Sequence, residues 1–156
     1  MSARRLGAVS GRSLATLAAT AIVAAGCGSA PPPPLVQLRA QGARICGGAS
    51  GRLGRIPTPR TEVGGETFLT RAIAVLGPEL RELRKLSAPG DGADVYRAAL
   101  AATAGELKAL KGAVRALDRQ QDPVIAFRTL QQRLGPLERQ ADGAWQALQI
   151  PACLQR

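Results

Sequence analysis

Three long stretches of the chain place apolar residues at intervals of three and four positions, the spacing of one face of an α-helix. Thr61 is a favourable N-cap for the first of them, and Asp91 with Asp94 forms an acidic capping pattern for the second. Asp122 followed by Pro123 is a typical start for the third. The three seams comprise Leu69, Ile73, Leu76, Leu80 and Leu83; Tyr96, Leu100, Thr103, Leu107, Leu110, Val114 and Leu117; and Phe127, Leu130, Leu134, Leu137, Ala141, Ala144 and Leu148.

A weaker helix is predicted before these three, over residues 36–53. Leu38, Ile45 and Leu53 keep the helical spacing, but glycines dilute the segment, and each costs up to about 1 kcal/mol relative to alanine. These glycines are Gly42, Gly47, Gly48 and Gly51. No segment alternates polar and apolar residues with period 2, so the sequence predicts an all-α fold, a four-helix up-down-up-down antiparallel bundle.

Two features bear on the bounds of these helices. Gly77 with Pro78, and Gly135 with Pro136, interrupt the helices that contain them. A proline inside a helix removes one backbone donor, so we expect a kink or a split, in the earlier helix near Val75. The long helix that opens at Asp91 is expected to continue to about Gln121, a length of roughly 45 Å.

The N-terminal residues follow a different pattern. Arg4, Arg5 and Arg12 occur without any acid, and residues 14–25 contain only Leu, Ala, Thr, Ile and Val. As a helix the apolar run would span roughly 18 Å, whereas the hydrocarbon core of a bilayer is about 30 Å thick. The run is therefore predicted to be an export signal rather than a lasting membrane span.

The residues at the end of this run resemble the lipobox of bacterial lipoproteins. Ala25 and Gly26 precede Cys27, and Gly28 and Ser29 follow it, although Ala24 stands where that family usually has Leu or Val. The resemblance implies export, cleavage before Cys27 and acylation of its thiol, with the protein held on the extracytoplasmic face of the cell membrane. The alternative is an ordinary secretory signal with an incidental cysteine.

The chain therefore divides into a signal peptide at 1–26, a lipidated cysteine with a proline-rich tether at 27–35, and a helical domain at 36–156. Four consecutive prolines, 31–34, favour an extended stretch that would hold the domain off the membrane. Cys46 and Cys153 remain in the domain. Two cysteines outside the cytoplasm usually pair, so a disulfide between the two ends of the bundle is predicted.

The composition excludes several kinds of chemistry. The chain has no histidine and its one methionine is Met1. The sequence therefore lacks the residues for Ser-His-Asp and Cys-His sites, for the common haem-ligand pairs and for Glu-x-x-His metal sites. We expect neither a metal nor a cofactor beyond the lipid on Cys27. Two acid pairs lie one turn apart, Glu62 with Glu66 and Glu138 with Asp142. They suit either a hydrolase or a calcium ion, or simply a solvated surface.

Two candidate binding sites remain. Lys108, Lys111, Arg115 and Arg119 form a basic stripe opposite the leucine seam, which would suit an acidic protein or an anionic envelope polymer, unless it is the solvated face of the helix. Trp145 either anchors the core or lines a ligand cavity opened by the Gly-Pro interruptions. Nucleic-acid binding is disfavoured by the export signal and by the scarcity of aromatic residues, 3% of the chain.

Cys46, Trp145 and the tail of residues 148–153 resemble small exported helical lipoproteins of GC-rich bacteria. In those proteins an early and a final cysteine bracket four helices, and the resemblance implies fold and location but no activity. The leading hypothesis is a non-enzymatic, membrane-anchored binding or scaffold module. The alternative is a carrier of an apolar or amphipathic small ligand in the bundle core, and a carboxylate-dependent hydrolase is the third.

Overall fold

The computed structural model describes residues 34–59 and 63–154, which form four α-helices and a short C-terminal 3₁₀ helix. The helices are α1 (Pro34–Leu53), α2 (Val63–Leu83), α3 (Gly90–Asp118) and α4 (Pro123–Ala147), and the 3₁₀ helix is Pro151–Leu154. Successive helices pack against each other, and the 3₁₀ helix packs against α1 and α4. The predicted all-α four-helix bundle is confirmed. None of the described helices is long and apolar enough to cross a bilayer.

The start of α1 corrects the predicted tether boundary. The helix begins at Pro34, so residues 34 and 35 belong to the bundle. Proline suits the first position of a helix because the missing amide hydrogen has no partner there in any case. Leu35 also packs against the core, which holds this first turn in place. Cys27, the rest of the tether and the signal lie outside the described residues, as does the Thr61 cap.

Both prolines lie inside continuous helices, so the split that was one of the two expectations is wrong, whereas the kink stays a prediction. Pro78 lies within α2 and Pro136 within α4. Each proline follows a glycine, Gly77 or Gly135. Because glycine has no Cβ to clash with the proline ring, it relieves part of the steric restriction that disfavours helical conformation before proline. The helix then loses one hydrogen bond and continues.

The predicted N-cap of α4 is confirmed, whereas that of α3 is wrong. Asp122 caps α4 as predicted, since its side chain accepts a hydrogen bond from the Ile125 amide at 3.1 Å. The predicted cap of α3 by Asp91 is wrong. That helix begins one residue earlier, after the extended Pro89, and has no side-chain cap, since the proline side chain has no hydrogen-bond acceptor. The Gly92 amide bonds the Pro89 carbonyl at 2.9 Å.

The C-terminus of α3 lies at Asp118 rather than Gln121. Gln120 adopts a left-handed backbone with φ of 61°. The amide of Gln120 bonds the Leu117 carbonyl at 2.8 Å, and that of Gln121 bonds the Ala116 carbonyl at 3.0 Å. These two bonds form a Schellman motif, which satisfies the last carbonyls of the helix and ends it.

A second Schellman motif ends α4. Gln149 has φ of 59°, and the amide of Ile150 bonds the Trp145 carbonyl at 3.0 Å. Ile150 and Trp145 are both 0% exposed, which matches the hydrophobic contact that accompanies this motif. The motif reverses the chain, so that the 3₁₀ helix returns along α1.

The bundle contains two hydrophobic clusters. The first includes residues of all four helices and the 3₁₀ helix, among them Leu38, Cys46, Leu83, Tyr96, Trp145 and Cys153. The second includes residues of α2, α3 and α4, among them Leu69, Leu110 and Leu130. The half of the bundle around the second cluster is therefore built on three helices.

Candidate functional site

A groove lies between α2 and α4. Over the residues that the structure describes, α3 packs along both helices, whereas α2 and α4 make no comparable contact with each other. In a four-helix bundle α1 fills the corner between its two neighbours. Here α1 has 20 residues and α3 has 29, a difference of about 13 Å in length. Leu35 of α1 packs beside Gly92 at the start of α3, so the shortfall lies at the opposite end.

The part of the groove nearest the end of α1 is a cleft of about 530 Å³, which we call the acidic cleft. Leu53 and Ile56 close one side of it. The other apolar side chains of its lining come from α2, α3, α4 and the 3₁₀ helix, and include Phe68, Ala72, Leu76, Leu110, Leu134 and Leu154. Because α1 is shorter than α3 and ends beside this cleft, the apolar surface of the cleft stays open to solvent.

Three carboxylates give this cleft its name, and they are the only charged residues of its lining. Glu106 comes from α3, and Glu138 and Asp142 come from α4. Glu138 and Asp142 lie one turn apart, so both face the cleft. The two helices approach closely here because Gly105 has no side chain: a Cβ at this position would lie 2.8 Å from Leu137 Cδ2.

A second cleft of about 650 Å³ continues the groove and shares Phe68, Leu110 and Leu134 with the first. Its lining contains no charged residue, and we call it the apolar cleft. Phe127 of α4 closes it against the backbone of α2 at Gly65. A Cβ on Gly65 would lie 2.4 Å from Phe127 Cζ, so this approach depends on glycine.

Trp145 lies in the packed core and lines neither cleft. It is 0% exposed and meets Tyr96 edge to face, with ring centroids 5.9 Å apart. The Tyr96 hydroxyl donates to the Leu83 carbonyl at 2.6 Å, and burial raises the pKa of Tyr96 to about 12 because the phenolate would lose its hydration. The indole thus acts as a core anchor, and the groove lies elsewhere.

Cys46 and Cys153 form the predicted disulfide, with their Cα atoms 4.9 Å apart. Both half-cystines are 0% exposed. The bridge joins the middle of α1 to the 3₁₀ helix and so holds α1 to the end of the chain.

The basic stripe is exposed along its whole length. Lys108, Lys111 and Arg115 project from α3, and Arg119 is the residue that caps its C-terminus. None of the four lines either cleft. Their exposure fits both a partner surface and a solvated helix face, so the predicted acidic partner stays a prediction.

The other acid pair does not form a site in the part of the chain that is described. Glu66 is exposed, and Glu62 lies outside the described residues. Within 34–59 and 63–154, no three His, Cys, Asp or Glu side chains are grouped so that they could hold a metal ion. The three carboxylates of the acidic cleft place negative charge beside an apolar surface.

Comparison of the chain with known protein families, with curated proteins and with solved structures finds no match. The resemblance to exported bacterial lipoproteins accordingly stays a prediction from residues 1–29, from Cys46 and Trp145, and from the tail of residues 148–153.

Sequence reasoning singled out Glu138 and Asp142 but missed Glu106 and the groove itself. A signal for the groove was present in the unequal lengths of the first and third helical patterns. A signal for Glu106 was weaker, because nothing in the spacing indicates which residue of α3 faces α4 across Gly105.

Proposed function

We propose that this chain is a non-enzymatic binding module, anchored by a lipid on Cys27 to the extracytoplasmic face of a bacterial membrane, and that its ligand site is the groove between α2 and α4. The observation that carries the proposal is the groove: an open apolar surface with charge at one end. It replaces the cavity that the sequence suggested beside Trp145.

The size and lining of the groove support ligand binding. Its clefts of about 530 and 650 Å³ fall in the usual range for small-molecule sites, roughly 300–1,000 Å³. Such sites are mostly apolar with a few polar groups that orient the ligand. Phe68, Leu110 and Leu134 line both clefts and make the apolar surface continuous, and the three carboxylates are the orienting groups.

Two observations support the proposed location. The lipobox-like residues before Cys27 follow a basic and then an apolar segment. The disulfide between Cys46 and Cys153 belongs to the kind of bond that persists in oxidising compartments outside the cytoplasm. The absence of histidine from the chain supports a non-enzymatic role, because it removes the commonest general base.

Binding is tested with N-phenyl-1-naphthylamine, an uncharged apolar dye whose fluorescence rises in apolar surroundings. Leu134→Trp places a larger side chain where both clefts meet, and we expect it to weaken dye binding because the added ring occupies the space of the ligand. Gln132→Trp is the matched control, since Gln132 is exposed on the same helix and lines neither cleft. Circular dichroism establishes that both variants are folded. Saturable binding that is equal in the wild type and both variants would refute the site.

Anchoring is tested separately by fractionation of cells that express the full chain. We expect the wild type in the membrane fraction with an acyl-modified Cys27, and Cys27→Ala as an uncleaved or unacylated precursor. Recovery of the wild type as an unmodified protein in the soluble fraction would contradict the proposed anchor and leave the groove proposal intact.

A further inference from the structure

We propose that the ligand of the groove is an amphipathic cation, whose alkyl or other apolar part lies in the apolar cleft and whose positive group lies beside Glu106, Glu138 and Asp142. This inference rests on the proposed function and specifies the chemistry of the ligand. It follows from how charge is distributed along the groove.

The charge of the acidic cleft is opposite to that of the protein. Lys and Arg outnumber Asp and Glu by 21 to 11, for a formal net charge of +10. Even so, every ionisable group in the lining of this cleft is a carboxylate. The net positive charge of the protein attracts anions, so a preference of the groove for a cation has to come from these local carboxylates. Their effect is strengthened by the apolar walls, which lower the local dielectric constant.

The two clefts also differ in polarity, in the same way as the charged head group and the apolar tail of an amphipathic molecule. The acidic cleft carries three carboxylates, whereas the apolar cleft carries Thr58 and Gln131 as its only polar side chains. Phe68, Leu110 and Leu134 belong to both, so a single molecule can extend from one cleft into the other. A ligand with separate charged and apolar parts matches this order.

The positions of the carboxylates fit a mobile or small cationic group. Glu138 is exposed, whereas Glu106 and Asp142 are half-buried. An ammonium group at the mouth of the cleft would keep part of its hydration while it contacts carboxylates from two helices. A charge-assisted hydrogen bond of this kind makes binding about tenfold tighter.

The test measures the binding of three decyl compounds to the disulfide-intact protein by isothermal titration calorimetry at neutral pH, below their micelle concentrations. Decylammonium, decanol and decanoate share one alkyl chain and differ in head-group charge. We expect decylammonium to bind about tenfold more tightly than decanol and decanoate to bind most weakly. Equal affinity for all three, or tightest binding of decanoate, would overturn the inference while the proposed function stands. Absence of binding by all three would sink both.

A charge-matched pair of double variants locates the effect. Glu138→Gln with Asp142→Asn removes two carboxylates from the cleft. Glu66→Gln with Asp118→Asn removes two exposed carboxylates that line neither cleft. Decylammonium affinity is expected to fall close to that of decanol in the first variant and to stay unchanged in the second, with decanol affinity constant in both. An equal loss in the two variants would assign the preference to overall charge and overturn the proposal.

Discussion

Removal of the disulfide is the perturbation whose effect can be calculated most directly from the structure. Cys46 and Cys153 are 107 residues apart in sequence. The chain-entropy expression assigns a loop of this length about 4.8 kcal/mol at 25 °C, through restriction of the unfolded chain. The double variant Cys46→Ala, Cys153→Ala also leaves space at two positions that are 0% exposed, which adds to the loss. A domain of this size has roughly 5–15 kcal/mol of stability in total, so the loss is a large fraction of it.

The assay is urea denaturation of the wild type and the double variant, followed by circular dichroism. We expect the midpoint to fall by an amount equivalent to about 4–6 kcal/mol. The dependence of the unfolding free energy on urea should also steepen, because an unfolded chain without the cross-link exposes more surface. A loss below about 1 kcal/mol would refute the loop-closure argument.

The same variant should open first at α1. This helix contains Gly42, Gly47, Gly48 and Gly51, and it is held to the end of the chain through the 3₁₀ helix that carries Cys153. Hydrogen exchange measured by mass spectrometry should therefore show faster exchange in α1 and in residues 150–154 than in α3. Uniform acceleration across all four helices would show instead that the bridge stabilises the bundle as one unit.

Three further predictions concern single residues. Gly47→Ala should stabilise the domain by up to about 1 kcal/mol in thermal denaturation, because a Cβ there meets nothing within 4 Å. Gly42→Ala should give a smaller stabilisation or none, since its Cβ would lie 3.1 Å from a buried side chain. Gln120→Gly should stabilise by about 0.5–1 kcal/mol because φ is 61° at that position, and no gain in the urea midpoint would contradict the assigned left-handed conformation. Tyr96→Phe should cost about 1–2 kcal/mol through the lost bond to the Leu83 carbonyl. The phenol ionises near pH 10 when unfolded and near 12 when folded, so wild-type stability should fall over that interval relative to Tyr96→Phe, and parallel pH profiles would contradict it.

The helices could be predicted because their leucine spacing is regular, and the start of α4 because Asp122 and Pro123 are a strong local signal. The end of α3 could not, because Gln120 carries no sequence mark of its left-handed backbone; glycine usually occupies such a position. Continuity through Pro78 and Pro136 was missed because the preceding glycines were interpreted as a second breaking signal, whereas they relieve the clash.

The position of the groove could not be predicted from the unequal helix lengths alone. It depends on where the shorter α1 stops relative to α2 and α4, and on the return of the 3₁₀ helix after Gln149. Glu79 shows the same limit: it carries a charged side chain type and is 1% exposed in α2. Its burial is decided by how the helices are rotated against their neighbours, and the seam of leucines gives that rotation only approximately.

The disulfide also changes what proteolysis can do to this domain. The connections between the helices, at 54–62, 84–89 and 119–122, all lie between Cys46 and Cys153 in sequence. A single cut in any of them leaves two polypeptides that remain covalently joined. The carboxyl-terminal piece thus stays attached to the piece that begins before α1 and contains Cys27. If Cys27 carries the anchor, a single cut between two helices releases no part of the bundle, whereas a single cut between Cys27 and α1 releases all of it.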